Sequence, residues 1–416
     1  MANVLVFVEV ADGRPAGGSL RALAEGRRVA TELGATVYAV ATCATPPAYG
    51  ENDLVAVLSR HGADRVVLAT GAELVGRPAF ATHGAAMQSV CERFPPALVL
   101  FANGSAGLDI APRLAARIGA AFAARTKLAV DEEGVLALES PVYGGTFRRR
   151  LEVDDLERSV VATVEPDGPL SEGATDEVEA IVVQVSGSSV LGPVRREGAP
   201  VEGTIAGSIR VAVMIRRSAR SPREADATLE LGACDQAALR AALGLHEAGA
   251  VQLTAISCGP EAEDETLELA CRLGADRAIR LWHPALDGTD YHALSRALAG
   301  AARAINADVV LVGESSDDEQ LGGIGPALAE HLGVVHVSGV RQVTRAGGAI
   351  AFQQDDGLWW EARAPIVLVV SPGAPLGVPD ALAVPKAIDV WDLAKVQVAP
   401  EEIRHRRRYL GKLIGC

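Results

Sequence analysis

The sequence predicts an α/β protein made of two tandem, homologous, doubly wound domains, each built on a parallel sheet with added antiparallel strands. The first observation is a repeat: GADRVVLATG at residues 62–71 returns as GADRAIRLWH at residues 274–283, an offset of 212. The second is the alternation of short apolar runs with helical segments, which indicates parallel strands joined by crossover helices. The third is that many of these runs are apolar throughout, as is typical of strands covered on both faces.

The repeat extends well beyond this block. ELGATVYAV at residues 32–40 precedes the first copy, and EAGAVQLTAIS at residues 247–257 precedes the second. PALVLFANGSAGLDIAPRLAARIGA follows the first copy at residues 96–120, and ADVVLVGESSDDEQLGGIGPALAEHLGV follows the second at residues 307–334. A repeat of this length is a whole domain, so the 416 residues are predicted to hold two large domains.

The first copy is predicted to contain four strands separated by helices. Its apolar runs predict strands at residues 3–10, 36–42, 64–70 and 97–102. The intervening segments predict helices at residues 19–33, 51–61, 78–93 and 110–118. In the second copy the corresponding runs predict strands at residues 210–216, 251–257, 276–282 and 308–313.

Both copies then depart from this pattern. Residues 134–153 and 349–363 read as extended and precede another apolar run, which predicts antiparallel strands added at one edge of each sheet. Residues 186–208 are rich in Gly, Ser and Pro and are predicted to be a linker. A tail follows Pro379 and ends in a predicted short basic helix, whose charges are interpreted as a solvated face rather than a functional patch.

Composition restricts the classes of function. With 39 basic and 53 acidic residues the net charge is −14, which argues against nucleic acid as a partner. No apolar run approaches the roughly 20 residues of a membrane span. The six cysteines show no CxxC pair and no metal-ligand spacing, and the start of the chain has no basic leader. A reduced, cytoplasmic protein without a metal site is expected.

Doubly wound sheets bind ligands outside the carboxyl ends of their strands, where loops open into helix N-termini that favour anions. In the second copy this rule selects four loops with the candidate residues Ile215, Arg216 and Arg217; Gly232, Cys234 and Asp235; Ser257, Cys258, Gly259 and Pro260; and Gly313, Gly322, Gly323, Ile324 and Gly325. These loops are predicted to hold the phosphate group of a nucleotide. The glycine run also fits an ordinary tight strand-to-helix turn, and it matches neither GxGxxG nor a P-loop.

Other polar and aromatic residues receive structural interpretations. Asp109 is expected to cap the helix that it opens, and His336 to be a structural histidine in a strand. Cys258 is expected to pack rather than react. Trp359 and Trp360 lie on an extended segment and are expected to cover the sheet. Because no Ser/His/Asp, HExxH or GxSxG constellation occurs, no catalytic residue is assigned.

Several of these segments resemble one family. VAVMIRRSARSP, ACDQAALRAALGLHEAG, ISCGPEAEDETLELACRLGADRAIRL and VGESSDDEQLGGIGPALAEHLG are together similar to the β subunit of electron transfer flavoprotein. VLVFVEVADG, LVLFANGSAGLDIAPRLAARIGA and SPVYGG resemble domain I of its α subunit. The resemblance implies a Rossmann-like fold related to that of the adenine nucleotide alpha hydrolases. It assigns an α-type domain I, a linker, a β-type nucleotide-binding domain and a C-terminal tail to residues 1–185, 186–208, 209–385 and 386–416.

The resemblance also implies that the β-type domain holds an adenine nucleotide, either AMP or, in bifurcating members, FAD. Carried over by position, the binding loops are residues 215–217, 232–235, 257–260 together with Thr266, and 321–325. Two loops depart from the family pattern: GACD replaces an Asn-Pro-Phe-Asp opening at residues 232–235, and Gly-Gly-Ile replaces a polar trio at residues 322–324. Backbone donors are retained there, while side-chain hydrogen bonds are lost.

A second departure concerns the redox flavin. In the family this FAD lies mostly on α domain II, with a glycine-arginine turn and a QVGQTG-like run, and the segment at residues 186–198 is too short to replace that domain. The partner-recognition loop of the family corresponds to residues 371–386, with Leu376 or Leu382 as the candidate leucine and Lys386 as its basic residue.

Three hypotheses follow. The first is an electron carrier, with FAD and AMP as its expected cofactors, that takes electrons from a flavin dehydrogenase such as an acyl-CoA dehydrogenase and passes them to a membrane quinone reductase or a similar acceptor. The second is a non-redox nucleotide-binding or scaffold protein that has lost the flavin. A platform that needs a separate FAD-domain subunit would reconcile these two. The third, an ATP-using enzyme on the related hydrolase-like fold, lacks an SGGxDS-type loop.

Overall fold

The chain forms two compact units, Met1–Val190 with Arg407–Cys416, and Leu191–Arg406. Each is an α/β unit with a mainly parallel sheet, which confirms the predicted fold class. The computed structural model describes residues 2–45, 54–72, 74, 79–153, 159–165, 178–185, 194–196, 198–199, 208–218, 230–247, 251–373, 376, 386–403 and 413–415.

The first unit contains four of the described helices. Its strands are β1 (Asn3–Val8), β2 (Val10–Ala11), β3 (Arg14–Pro15), β4 (Thr36–Cys43), β5 (Arg65–Thr70), β6 (Leu98–Ala102), β7 (Ala121–Val130), β8 (Leu136–Val142), β9 (Phe147–Val153), β10 (Val160–Val164) and β11 (Glu179–Gln184). Its helices are α1 (Gly17–Leu33), α2 (Leu54–Arg60), α3 (Phe80–Arg93) and α4 (Ser105–Ile118).

The second unit repeats this order. Its strands are β12 (Val194–Arg195), β13 (Ile209–Met214), β14 (Arg217–Ser218), β15 (Glu230–Leu231), β16 (Val251–Cys258), β17 (Arg277–Leu281), β18 (Val309–Gly313), β19 (Val335–Ala346), β20 (Ala349–Gln354), β21 (Trp359–Ala362), β22 (Ile366–Val370) and β23 (Ile388–Trp391). Its helices are α5 (Ala233–Glu247), α6 (Asp264–Arg272), α7 (Tyr291–Ala304) and α8 (Ile324–Leu332). The last strand of the chain, β24 (Leu413–Gly415), belongs to the first unit.

The two large sheets have the same topology. Among the described residues the strand order of the first sheet is β11-β5-β4-β1-β6-β10-β7-β8-β9-β24. In the same direction the order of the second sheet is β23-β17-β16-β13-β18-β22-β19-β20-β21-β12. The first long strand of each unit lies between two parallel neighbours, β4 and β6 for β1, and β16 and β18 for β13. The chain builds one side of the sheet and then crosses to the other, which places the topological switch point beside β1 and β13.

The antiparallel strands lie at one edge of each sheet, as predicted. Strands β7 to β9 and β19 to β21 form consecutive antiparallel pairs. The apolar runs that follow them have a different position. Strand β10 inserts in parallel between β6 and β7, and β22 inserts in parallel between β18 and β19. These late strands are therefore buried sheet members, which explains why their residues are apolar except for the buried Thr163.

The repeated GADR block has the same structural role in both units. Gly62 and Gly274 adopt φ values of +108° and +124°, which favour glycine. The aspartate two residues after each glycine forms a hydrogen bond to a neighbouring strand. The Asp64 carboxylate accepts the N–H of Val37 at 2.8 Å, and the Asp276 carboxylate accepts the N–H of Leu253 at 2.9 Å. The repeat thus marks a turn that both units share and that leads into β5 and β17.

Strand β13 shows why the central strands are apolar throughout. Val211 and Val213 belong to the core on one face of the sheet, and Ala212 and Met214 belong to the core on the other. Successive residues of a strand point to opposite faces, so a strand covered by helices on both sides needs an apolar residue at every position. The core packing therefore confirms the covered parallel sheet.

Segments outside the repeats also add strands. β12 pairs with β21, and β24 pairs antiparallel with β9. The predicted basic helix near the end of the chain and Leu382 lie outside the described residues. Within the part of the chain that the structure describes, no helix is both long and apolar enough to cross a membrane.

One local prediction is wrong. Asp109 does not cap its own helix, because α4 begins one turn earlier, after Gly104. Its carboxylate instead accepts the backbone N–H of Phe80 at 2.6 Å, at the start of α3. A sequence pattern identifies a capping residue, but tertiary packing decides which helix end it reaches.

Candidate functional site

A cleft lies in the second unit at the carboxyl ends of β13, β16 and β18, beside the switch point of the sheet. Its empty volume is about 660 Å³, part of it open to solvent. The residues that line it are Met214, Ile215, Arg216, Asp235, Ile256, Cys258, Leu294, Leu298, Val312, Gly313, Glu314, Ser315, Ser316, Glu319, Leu321, Gly322 and Ile324.

The structure brings together about half of the residues selected from the sequence. Those that line the cleft are Ile215, Arg216, Asp235, Cys258, Gly313, Gly322 and Ile324. The other predicted residues do not line the cleft and are Arg217, Gly232, Cys234, Ser257, Gly259, Thr266, Gly323 and Gly325. Each of the four predicted loops contributes at least one lining residue.

Sequence reasoning missed the apolar wall. Leu294 and Leu298 come from α7, which follows a strand that the loop rule did not select. Met214 and Ile256 each lie one residue before a predicted loop, within the strands themselves. The available signal was the pair of leucines four residues apart on an amphipathic helix, but the same signal is typical of ordinary core packing.

Gly313 and Asp235 lie in very close contact. A Cβ atom added to Gly313 would be 2.7 Å from Asp235 Oδ1 and 2.8 Å from the carbonyl carbon of Cys234. The N-terminus of α5 therefore packs directly against the end of β18. Only glycine at position 313 permits this approach, so this glycine has an identifiable structural role.

Asp235 is a buried carboxyl group in the first turn of α5, with 7% of its surface exposed. Burial raises its pKa to about 7 against the opposing charge of Arg216, whose backbone N–H it accepts, and nearby Asp317 and Asp318 raise this pKa further. The first turn of α5 thus already carries its own acidic group. A carboxyl with this pKa changes charge near neutral pH.

Arg216 is the only basic residue among the described residues that line the cleft. Its guanidinium donates to the carboxylate of Asp318 and forms an ion pair with it. Burial lowers the pKa of Arg216, but the carboxylates of Asp318, Glu319 and Asp235 together raise it by more, so the net change is upward. The guanidinium is therefore charged, and a carboxylate of the chain already holds it.

Glu263 joins two of the predicted loops from behind the cleft. Its Oε2 atom accepts the hydroxyl of Ser257 at 2.8 Å and the backbone N–H of Arg217 at 3.2 Å. A Cβ atom on Gly259 would lie 2.6 Å from Glu263 Cγ. Burial raises the pKa of Glu263. This carboxylate therefore positions the ends of β13 and β16 relative to each other.

The last loop opens into α8 close to the strands. A Cβ atom on Gly325 would lie 2.4 Å from Val369 Cγ2, so the first turn of α8 packs against β22. Gly322 and Ile324 line the cleft at this end, and no acidic residue occupies the first turn of α8. This helix N-terminus is the end that retains backbone N–H groups and a positive dipole for an anion.

The described lining of the cleft contains one cysteine, Cys258. Burial raises the pKa of the Cys258 thiol to about 12, so this residue is a packing group rather than a nucleophile. No cluster of three or more potential metal-ligating side chains occurs in the described ranges. The cleft thus offers apolar walls, one paired arginine, several carboxyl groups and backbone donors.

Comparison with known proteins agrees with this architecture. Residues 4–186 and 223–396 both match the electron transfer flavoprotein domain family. The two matched segments correspond to the two homologous halves of the chain.

Individual relatives match over shorter segments. The electron transfer flavoprotein subunit beta of Clostridium acetobutylicum is 31% identical over 161 residues, which are 38% of this chain and 61% of that protein. Protein FixA of Bradyrhizobium diazoefficiens is 36% identical over 124 residues, or 28% of this chain and 43% of that protein. The subunit beta of Mycobacterium tuberculosis is 29% identical over 207 residues, or 45% and 78%. The chain thus covers less than two thirds of the length of the first two. Because the family matches span most of the sequence, this chain belongs to the electron transfer flavoprotein family.

Proposed function

We propose that the second unit is a β-type module that binds an adenine nucleotide, AMP or FAD, in the cleft at the end of β13. The observation that carries this proposal is the position of the cleft: four loop segments converge at the carboxyl ends of the parallel strands β13, β16 and β18, beside the switch point, where doubly wound folds bind nucleotides. The family membership provides the second support.

The residues present fit an adenosine-type ligand in a specific way. Leu294, Leu298 and Ile256 supply an apolar wall of the kind that packs against a heteroaromatic ring. The start of α8, beside Gly322, supplies backbone donors for a phosphate or a ribose hydroxyl group. Ser315 and Ser316 add hydroxyl groups at the same end. A bound flavin would supply the redox chemistry, and these residues would orient its adenosine portion and exclude water.

We further propose that the whole chain acts as an electron transfer platform in the cytoplasm. Its first unit is assigned as an α-type domain I, so one chain would combine modules that are otherwise on two subunits. The electron donor is proposed to be a flavin dehydrogenase, such as an acyl-CoA dehydrogenase, and the acceptor a quinone reductase or a similar protein. The described cysteines are all free thiols, which supports a reducing compartment.

The flavin-binding domain is proposed to reside on a separate chain. The segment between the two matched ranges is too short for that domain, and the proposed nucleotide site is the cleft of the second unit. The competing function is a scaffold that binds nucleotide without redox activity. The observation that favours it is the acidic lining of the cleft, with Asp235, Glu314 and Glu319 against one paired arginine.

The decisive experiment is to purify the full chain, denature it and identify any released nucleotide, and then to titrate the emptied protein with AMP and FAD. Leu298→Trp, which fills the cleft, is expected to abolish binding. Val390→Trp is the matched control, because Val390 is 61% exposed on the last strand of the same unit. Binding of neither nucleotide, or equal binding by both variants, would refute a nucleotide site in the cleft. Bound FAD with a reversible visible absorption change would support redox function over the scaffold.

A further inference from the structure

The cleft combines apolar walls with a charge distribution that opposes a phosphate group. Arg216 is the single base along its described lining, whereas Asp235, Glu314 and Glu319 contribute three acidic groups. Asp317 and Asp318 lie in the same loop, close enough to raise the pKa of Asp235. A phosphate entering this cleft therefore meets an excess of negative charge.

The cation that would compensate a phosphate is already engaged. Arg216 donates to the carboxylate of Asp318, and Asp318 also accepts the backbone N–H of Glu319 at 2.7 Å. The second hydrogen bond holds the carboxylate in place, so the ion pair is pre-organised rather than a chance encounter of two mobile side chains. The Asp318 carboxylate thus makes the contact with Arg216 that an anionic group of a ligand would otherwise make.

We propose that Asp318 is a charge-selecting residue of the cleft: by holding Arg216, it makes the site prefer an uncharged nucleoside-type ligand over a ligand with an accessible phosphate. The inference rests on the proposed nucleotide function and adds a selectivity to it. A phosphate that reaches Arg216 must share the guanidinium with the carboxylate of Asp318, whose negative charge repels the phosphate.

The local geometry separates Asp318 from its acidic neighbour. Asp317 faces Gly232, where an added Cβ atom would lie 3.2 Å from Asp317 Oδ2, whereas Asp318 faces Arg216. Replacing either aspartate by asparagine removes one negative charge from the same loop. Only Asp318→Asn weakens the hold on the arginine. The pair of variants therefore distinguishes a specific contact from the general field of the loop.

The test is calorimetric titration of the full chain with adenosine and with AMP, which differ by the phosphate group. In the native protein adenosine is expected to bind at least as tightly as AMP. Asp318→Asn is expected to tighten AMP binding about tenfold and to change adenosine binding less than about twofold, since only the phosphate uses the released arginine. Asp317→Asn is expected to change AMP binding less than about threefold. Asp356→Asn, in the exposed β20–β21 turn, is the control for net charge.

The possible outcomes distinguish charge selection by Asp318 from nucleotide binding by the cleft. If native protein binds both ligands but Asp318→Asn leaves the ratio of their affinities unchanged, or if Asp317→Asn shifts it equally, charge selection by Asp318 is overturned while the nucleotide site stands. If no variant binds either ligand and circular dichroism shows all of them folded, both the nucleotide site and the selectivity are wrong. A tightening confined to AMP and to Asp318→Asn supports the proposal.

Discussion

A Cβ atom on Gly313 would lie 2.7 Å from Asp235 Oδ1, so the last residue of β18 and the first turn of α5 are in contact without space for a methyl group. This contact joins two of the four loops that surround the cleft. Since real Cβ atoms do not approach a neighbour this closely, Gly313→Ala requires α5 or β18 to shift.

We expect Gly313→Ala to reduce the free energy of unfolding of the second unit by about 1–3 kcal/mol, as overpacked positions do. Gly244→Ala, within α5, provides the matched control because an added methyl group meets nothing within 4 Å there. In a helix interior this second change should be neutral or stabilise by up to about 1 kcal/mol. Chemical denaturation followed by circular dichroism measures both. Equal effects of the two substitutions would contradict the close contact.

The raised pKa of Asp235 predicts a pH-dependent effect on stability. The pKa of an aspartate is about 3.9 in the unfolded chain, whereas burial raises the pKa of Asp235 in the folded chain to about 7. Between these values the folded state binds the proton more strongly, so this group reduces stability as pH rises from about 4 to about 7. Above pH 7 the full cost of a buried carboxylate is present.

Asp235→Asn should therefore raise the free energy of unfolding at pH 8, by about 1–3 kcal/mol, and change it little at pH 4.5. Asparagine retains an oxygen that can accept the N–H of Arg216, and Arg216 keeps its pair with Asp318. Denaturant unfolding at a series of pH values provides the measurement. A constant difference between the two proteins across this range would show that the carboxyl does not titrate as described.

Substitutions at Glu263 test whether its carboxylate positions the loops that contain Arg217 and Ser257. Glu263→Ala leaves the fully buried hydroxyl of Ser257 and the N–H of Arg217 without this acceptor, and we expect a loss of about 1–3 kcal/mol. Glu263→Gln keeps an acceptor oxygen and should lose much less. Glu261→Ala, at an exposed position in the same turn, should change stability by less than about 0.5 kcal/mol. If Glu263→Ala behaves like Glu261→Ala, the carboxylate does not position these loops.

The repeated aspartates provide a parallel test in both units. Asp64→Ala and Asp276→Ala should each cost about 1 kcal/mol and increase amide hydrogen exchange at Val37 and Leu253, whose N–H groups lose their acceptor. The change should be confined to the unit that carries the substitution.

Asp64→Asn is the matched control, because it preserves an acceptor while it removes the charge that pairs with Arg27. Its effect should be smaller than that of Asp64→Ala. An equal effect would show that the ion pair with Arg27, rather than the contact with the neighbouring strand, stabilises this turn.

The fold class and most of the strands were predictable from the amino-acid sequence alone. The prediction succeeded because a strand covered on both faces must be apolar at every position, so runs such as residues 97–102 and 308–313 leave a local signal. The GADR repeat was equally local, because the same four residues return at an offset of 212. The four loops of the cleft followed from the position of strand ends.

Which residues come into contact depends on the folded chain. Asp109 reaches the start of α3, and β10 and β22 insert into the sheet interior, because packing partners distant in sequence determine both. The wall formed by Leu294 and Leu298 and the pairing of Arg216 with Asp318, 102 positions away, have no local signature. A charged residue in a sequence shows that a charge exists, whereas its availability to a ligand depends on the group that the folded chain places beside it.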